Sequence, residues 1–269
     1  MPEDLGVRLA IVSLNTRGVP MIGSRLADRY AAIGTALETG DAKVACFQEV
    51  LTWWHLRLLA RQMRSFQHMS FRPSPAGPAG GLVTFSRLPV SGTVYRGFGL
   101  PPEAPGIPWA ARLLAGLKGV LVTRLACPGL CVINTHPVAN RDGDWSPAGR
   151  FYPLHRAQLA VIAQVVRSVA APTVVCGDFN IARDRSLFGE FVDGTGLADA
   201  FEGKCPATFR AEYLPPGATP HCIDFILTAD GVKAEAATVV FAAMEPLPSG
   251  SAYVSDHVGL RASLFLTPQ

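Results

Sequence analysis

Residues 173–180, Thr-Val-Val-Cys-Gly-Asp-Phe-Asn, run through β-branched side chains and stop abruptly in Gly-Asp-Phe-Asn. Val and Thr favour the pleated surface of a sheet and Gly ends it, so the stretch predicts a buried strand delivering polar groups to an exposed sheet end. Side chains repeat every two residues along a strand, which places Asp178 and Asn180 on one side of it. An acid and an amide aimed together can hold a nucleophile and an oxyanion. Asp and Asn also cap turns well, and this stretch alone leaves both readings open.

Other strands end in the same way. Apolar runs predict strands at 7–15, 42–47, 66–71, 82–86, 90–98, 118–126, 130–135, 197–201, 221–228, 236–242 and 258–266. Helices are expected at 25–38, with Ser24 as N-cap and Gly40 closing it, after Thr52, at 109–117, at 152–169 and at 186–192. Trp53 and Trp54 are read as packing residues of the second helix rather than a ligand cage. Hydrophobic residues make up 49% of 269, and charged ones 17%, enough for a large core and too apolar for disorder. So many apolar strands are better explained by two packed sheets with helices outside them than by one sheet. No repeat or linker divides the chain, so residues 1–269 are read as a single domain and the protein as a monomer.

The six cysteines follow no metal-ligand spacing. Cys46 and Cys176 sit in apolar runs as small hydrophobes. Cys127 and Cys131 flank a Pro-Gly turn and could meet across a hairpin. The chain opens Met-Pro-Glu-Asp without a signal-peptide pattern, and no apolar run reaches the ~18 residues of a membrane span. A cytoplasmic or peripheral-membrane location is therefore expected. The net charge of +3 is too small to mark a nucleic-acid binder and does not exclude one.

Asn15 closes the first strand, Glu49 the second, and His136 the strand VINTH; Asp224 interrupts CIDFIL, and Asp256-His257 precede the last strand. Each alone has a bland reading as a loop or cap residue. Asp224 is harder to dismiss, since a carboxylate between Ile223 and Phe225 must be paired or hydrogen-bonded if buried. Carboxylates with an amide oxygen, and no thiolate, suit a hard cation such as Mg²⁺ or Mn²⁺. Two histidines and spare acids suit acid–base chemistry. Together they suit metal-assisted attack of water on a phosphoryl centre.

LNT with Asn15, FQEV with Glu49, NTH with His136, GDFN with Asp178 and Asn180, IDFIL with Asp224 and SDH with Asp256-His257 resemble, in order, the motifs of the endonuclease/exonuclease/phosphatase superfamily. The resemblance implies an α/β (α+β) four-layer αββα sandwich of two mostly antiparallel sheets with outer helices. It implies Asn15, Glu49 and Asp256 as metal ligands and Asp178 as the residue that positions or deprotonates the water. Asn180 would hold a phosphate oxygen, and His136 and His257, the latter oriented by Asp224, would bind and neutralise phosphoryl oxygens. GLVTFSRLPV (81–90), KGV with Lys118, NTHPVAN and HRAQL (155–159) resemble the neutral sphingomyelinase branch, with Lys118 on the substrate phosphate. Abasic endonucleases generally carry Tyr where this chain has His136.

The expected activity is thus a Mg²⁺-dependent phosphodiesterase acting on a phospholipid headgroup. The alternatives are a nuclease or inositol-phosphate phosphatase on the same fold, or a catalytically dead binding module that has kept every motif. Residues 99–117 are apolar apart from Glu103 and Arg112 and adjoin Lys118, so they are expected either to pack on the domain or to contact a membrane surface.

Overall fold

The computed structural model describes residues 6–19, 25–100, 106–248 and 250–267. Ser24, expected as a helix cap, and 101–105 of the apolar segment lie outside the described residues. The strands are β1 (Val7–Asn15), β2 (Val44–Gln48), β3 (His68–Ser70), β4 (Val83–Ser86), β5 (Val90–Gly97), β6 (Gly119–Leu125), β7 (Cys131–Thr135), β8 (Thr173–Asp178), β9 (Ala198–Asp199), β10 (Asp224–Thr228), β11 (Val232–Val240) and β12 (Gly259–Leu266). The helices are α1 (Leu26–Thr39), α2 (Trp53–Gln62), α3 (Trp109–Leu117), α4 (Tyr152–Arg167) and α5 (Ser186–Thr195).

One sheet runs β11-β12-β1-β2-β4-β3 and the other β5-β6-β7-β8-β10-β9. Alternation along the strands splits each between two cores. In β1 and β2, Leu9, Ile11, Val44 and Cys46 face the second sheet, where they join Val120, Val132, Val174 and Phe225. Val12, Leu14, Ala45 and Phe47 face the other way and pack with Tyr30, Ile33 and Leu37 of α1 and Leu56 and Leu59 of α2. Each Val, Leu, Ile or Phe among them, once fully buried, contributes about 1.5–3 kcal/mol of transfer free energy. The expected four layers follow: sheet on sheet, with helices outside.

Two pairings decide where the polar ends go. β1 pairs parallel with β2, and β7 parallel with β8; the remaining ladders are antiparallel. A parallel pair needs a crossover, and α1 and α4 lie in those two connections. The C-terminal ends of β1 and β2 thereby share one edge of their sheet, and those of β7 and β8 share one edge of theirs. Antiparallel β6 and β10 bring their N-terminal ends to the edge of the second sheet, with Val120 opposite Thr135 and Asp224 opposite Asp178. β12 does the same beside β1.

Some local expectations change. Asp224 opens β10 rather than interrupting a strand, and it pairs with Asp178, the last residue of β8. Cys127 and Cys131 are both free thiols, Cys127 exposed and Cys131 buried, so no bridge closes that hairpin. Trp53 packs edge-on against Phe71, whereas Trp54 is exposed.

Candidate active site

At this shared edge the two sheets meet through side chains. Asn15 Nδ2 of β1 donates to Asp178 Oδ2 of β8 at 2.9 Å and lies 3.5 Å from Glu49 Oε1. His136 Nε2 stands 3.5 Å and His257 Nε2 3.7 Å from the same Asp178 oxygen. His257 Nδ1 is 2.8 Å from Asp224 Oδ2, and its ring meets Phe209 edge-on. Lys118 Nζ donates to Pro137 O at 3.0 Å, and Asn180 Nδ2 donates to that carbonyl at 3.1 Å. Asp256 completes the rim, its Oδ2 3.5 Å from Arg17 Nε. All nine residues singled out in the sequence therefore converge.

Asp178 and Asn180 arrive differently from the simple alternation. β8 ends at Asp178, and Asn180 takes a left-handed φ of 55°. Its N–H donates to Asp178 Oδ1 at 2.9 Å, so one carboxylate oxygen caps the turn while the other faces the site. The turn-capping reading of the stretch is thus met by Asp178 Oδ1, and Asp178 Oδ2 remains turned to the Asn15 amide. Glu49 also has a left-handed φ, 62°, a conformation that side-chain-bearing residues adopt only when the surroundings impose it. The surroundings do so here: Gly18 N donates to Glu49 Oε2 at 3.0 Å. A Cβ on Gly18 would lie 1.7 Å from Glu49 O, so only glycine permits this approach.

Supporting residues were not apparent as such in the sequence. Gln48 Nε2 donates to Asn134 Oδ1 at 2.8 Å, and Asn134 Nδ2 donates to Phe47 O and Val83 O, tying the sheets together beneath the site. Ser255 Oγ donates to Asn15 O at 2.6 Å and accepts from His257 N. Buried Arg29 donates to Thr16 O, Arg17 O and Val254 O, and Thr208 Oγ1 accepts from Ile223 N and Asp224 N. From α4, Gln158 Oε1 accepts from Val138 N, and His155 Nε2 lies 2.8 Å from Val138 O, fixing the Pro137 segment that Lys118 and Asn180 share. Gln48, Asn134 and Ser255 lie inside the motif words, which is the signal that could have found them. Arg29 looks like any solvated helix residue.

The electrostatics separate the two histidines. Burial alone would lower His257, but the carboxylates of Asp224 and Asp178 outweigh it and lift its pKa to about 10. His136 is pushed well below the ordinary imidazole value by burial, with Lys118 and His257 acting in the same direction. The two rings are thus driven in opposite directions, His257 toward the imidazolium and His136 toward the neutral imidazole. Burial and the Asp224 charge raise Asp178 to about 7, against His257, Asn15 and Lys118. Burial lowers Lys118 to about 8, against Glu49 and Asp178.

The donor chemistry fits a hard cation on one side of this cluster. Asp178, Asp224 and His257 each offer an atom within 4.8 Å of the others, a spacing a cation could use. His257 Nδ1 and Asp224 Oδ2 already face each other at 2.8 Å, however, so those two atoms are turned toward one another. Beside Glu49 the Asn15 amide presents its Nδ2, its Oδ1 accepting from Arg17 N at 3.0 Å, whereas Glu49 and Asp256 offer half-buried carboxylate oxygens at the rim. These are oxygen donors without thiolate, as Mg²⁺ prefers.

Residues 12–257 match the sequence profile of the Endonuclease/Exonuclease/phosphatase family. Sphingomyelin phosphodiesterase 2 of Homo sapiens is 28% identical over 218 residues, covering 75% of this chain. The match spans about half, 48%, of that longer protein. Two solved structures share the fold. D. rerio TDP2 complexed with single strand DNA product gives a TM-score of 0.71 at 20% identity, with 96% of this chain and 98% of that one covered. A double mutant of beta toxin from Staphylococcus aureus with bound magnesium ions gives 0.68 at 16% identity, with 95% and 99% covered.

Proposed function

The chain belongs to the endonuclease/exonuclease/phosphatase family of phosphoric ester hydrolases, and from that premise we propose that it is a Mg²⁺-dependent phosphodiesterase acting on phospholipid headgroups. The reading of the chemistry rests on one observation: the buried Asp178 carboxylate oxygen stands 3.5 Å from His136 Nε2 and 3.7 Å from His257 Nε2, the latter ring backed by Asp224 at 2.8 Å. Asp178 accepts a proton from the attacking water and holds its lone pair toward phosphorus. His257, kept charged by Asp224, and Lys118 oppose the negative charge that grows on the phosphoryl oxygens. Neutral His136 and the second N–H of Asn180 donate hydrogen bonds to those oxygens without altering the charge of the site. Glu49 and Asp256, with Asn15, would hold the divalent cation. When bound, it supplies Lewis-acid stabilisation of the developing charge.

These protonation states predict a bell-shaped pH profile for kcat/KM. The base must be ionised, so the rate rises as Asp178 loses its proton near pH 7. The ammonium must stay charged, so the rate falls as Lys118 loses its proton near pH 8. Lys118→Arg keeps its charge well beyond that range, so the falling limb should move up by more than ~1 pH unit. An unchanged limb in that variant would remove Lys118 from the phosphate.

The lipid part of the proposal is carried by α3. Ile107 and Ala115 anchor this helix to Val138, Phe151 and Leu154. Its other side leaves Trp109, Leu113, Leu114 and Leu117 exposed by 72, 47, 64 and 66%. Lys118 follows directly as the C-cap. An apolar face ending at a phosphate-binding cation suits a headgroup presented at the edge of an acyl layer. Among the described residues, no helix is long and apolar enough to cross a membrane, so the contact is with the surface.

The Trp109→Ala, Leu113→Ser double variant should lower hydrolysis of liposomal sphingomyelin about fivefold to tenfold and leave a small soluble phosphodiester almost unchanged. Equal losses on both, or a fall of several degrees in Tm, would return α3 to the core. The parent should be assayed on sphingomyelin, phosphatidylcholine, plasmid DNA, RNA and inositol phosphates, each with Mg²⁺ and with chelator. Preferential cleavage of DNA or RNA would overturn the lipid assignment and keep the chemistry.

A further inference from the structure

Arg17 brings a positive charge to the rim on which the divalent cation is expected. It lies two positions after Asn15 and takes a left-handed φ of 50°. Its Nε stands 3.5 Å from Asp256 Oδ2, and its guanidinium carbon lies 4.3 Å from the centre of the Tyr213 ring. The backbone is held as well: Arg17 N donates to Asn15 Oδ1 at 3.0 Å, and Arg17 O accepts from Arg29 Nη2 at 3.0 Å. Tyr213 belongs to the same frame, since Tyr213 N donates to Arg210 O and Arg210 N donates to Asp256 O.

Asp256 does not depend on Arg17 for its orientation. Its Oδ1 lies 3.2 Å from Ser255 Oγ, and its carbonyl accepts from Arg210 N at 2.9 Å. The 3.5 Å between Arg17 and Oδ2 exceeds the span of about 2.7–3.2 Å usual for an N–H···O bond, so charge acts there more than a directed bond. The two side chains are only 21 and 20% exposed, so solvent and salt screen that charge weakly. A guanidinium stays protonated throughout the working pH range, and the face of Tyr213 keeps it in place. The charge therefore persists when a divalent ion approaches.

We propose that Arg17 is a positioning residue that competes with the divalent cation for Asp256, so that the ion binds less tightly and keeps more of its charge for the substrate phosphate. The inference rests on the cation site proposed for Glu49 and Asp256. Those two carboxylates supply the negative charge of the rim, and Arg17 returns a positive charge to its edge. Hard cations depend on the charge of their ligands for affinity, so the partly neutralised rim holds Mg²⁺ less firmly. The same guanidinium adds to the positive field that meets an anionic phosphodiester. Weaker cation binding and stronger phosphate binding are thus two consequences of one side chain.

A residue that merely orients a ligand has the opposite signature. Its removal loosens the carboxylate and weakens the ion, and a general loss of structure at the rim does the same. Removing a competitor tightens the ion. Arg17→Gln separates these cases, because it keeps the N–H on Asn15 Oδ1 and takes away the charge beside Asp256.

The test titrates Mg²⁺ into the full chain by calorimetry, with hydrolysis of bis(p-nitrophenyl) phosphate at saturating Mg²⁺ as the second readout. Arg17→Gln should lower the Kd for Mg²⁺ about fivefold to tenfold. It should also raise KM about threefold to tenfold while changing kcat much less. Arg17→Lys retains the charge and should stay within about twofold of the parent in both. Arg17→Asn serves if the glutamine variant fails to fold, because asparagine tolerates the left-handed backbone of this position. Unchanged or weaker Mg²⁺ binding by a folded, charge-free variant would overturn the proposal, as would an unchanged KM. A parent that binds no Mg²⁺ overturns the cation site and this inference together. A parent that binds it, beside a variant that binds it no better, overturns this inference alone.

Discussion

Asp178→Asn and His257→Ala should each lower kcat by about 10²–10⁴-fold while changing KM little. Asparagine at 178 keeps an oxygen for the Asn180 N–H and so preserves the turn, but it cannot take a proton. A loss of 10³ corresponds to about 4 kcal/mol of transition-state stabilisation. Removing His257 takes away the imidazolium and strands the buried Asp224 carboxylate, so Tm must be measured beside the kinetics. The two residues lie 3.7 Å apart and are assigned to one step, proton transfer to Asp178 while His257 opposes the charge on phosphorus. Groups that work on one step fail together, so the double variant should be much less than additively worse. Full additivity would place them in separate steps and break the assignment.

Glu49→Gln should weaken Mg²⁺ binding by about tenfold or more, read by calorimetry, and lower activity on the order of 10²-fold with the fold intact. The amide retains an oxygen for the Gly18 N–H that holds this residue in its left-handed conformation, so the shape of the rim survives. What is lost is one negative charge from an oxygen-lined site, and hard cations depend on that charge for affinity. Two results would sink the role given to Glu49: undiminished Mg²⁺ binding by the variant, or parent activity that resists chelator.

Much of this site was legible because its parts are local. Each functional residue sits at or beside one end of an apolar run, and burial of that run fixes the strand and where the polar side chain falls relative to it. α3 was likewise readable to the residue: prolines up to Pro108 forbid a helix before it, and an apolar run follows. The conformations at the strand ends were not legible. Asn180 and Glu49 take left-handed backbone geometry, and Pro137 O and Gly18 N, from segments distant in sequence, hold their side chains. Nor did the sequence distinguish His136 from His257. That difference arises from Asp224 on one ring and Lys118 near the other, each more than 15 positions away.

The sequence by itself determined the inventory and the layers: apolar strands with two buried faces, helices to cover them, and acids, amides and histidines at the strand ends. Period-two alternation and the free energy of apolar burial act over a few residues, so a single chain displays them. Only the tertiary structure decided which ends meet. The two parallel pairings, β1 with β2 and β7 with β8, turn four C-terminal ends toward one edge. The sheet-to-sheet bond from Asn15 to Asp178, spanning 163 positions, then closes the site. Local pattern cannot choose between parallel and antiparallel partners at such separations. That choice falls to the packing of whole sheets, which also places Gln48 on Asn134, Arg29 beneath the rim, and Arg183 against Cys222.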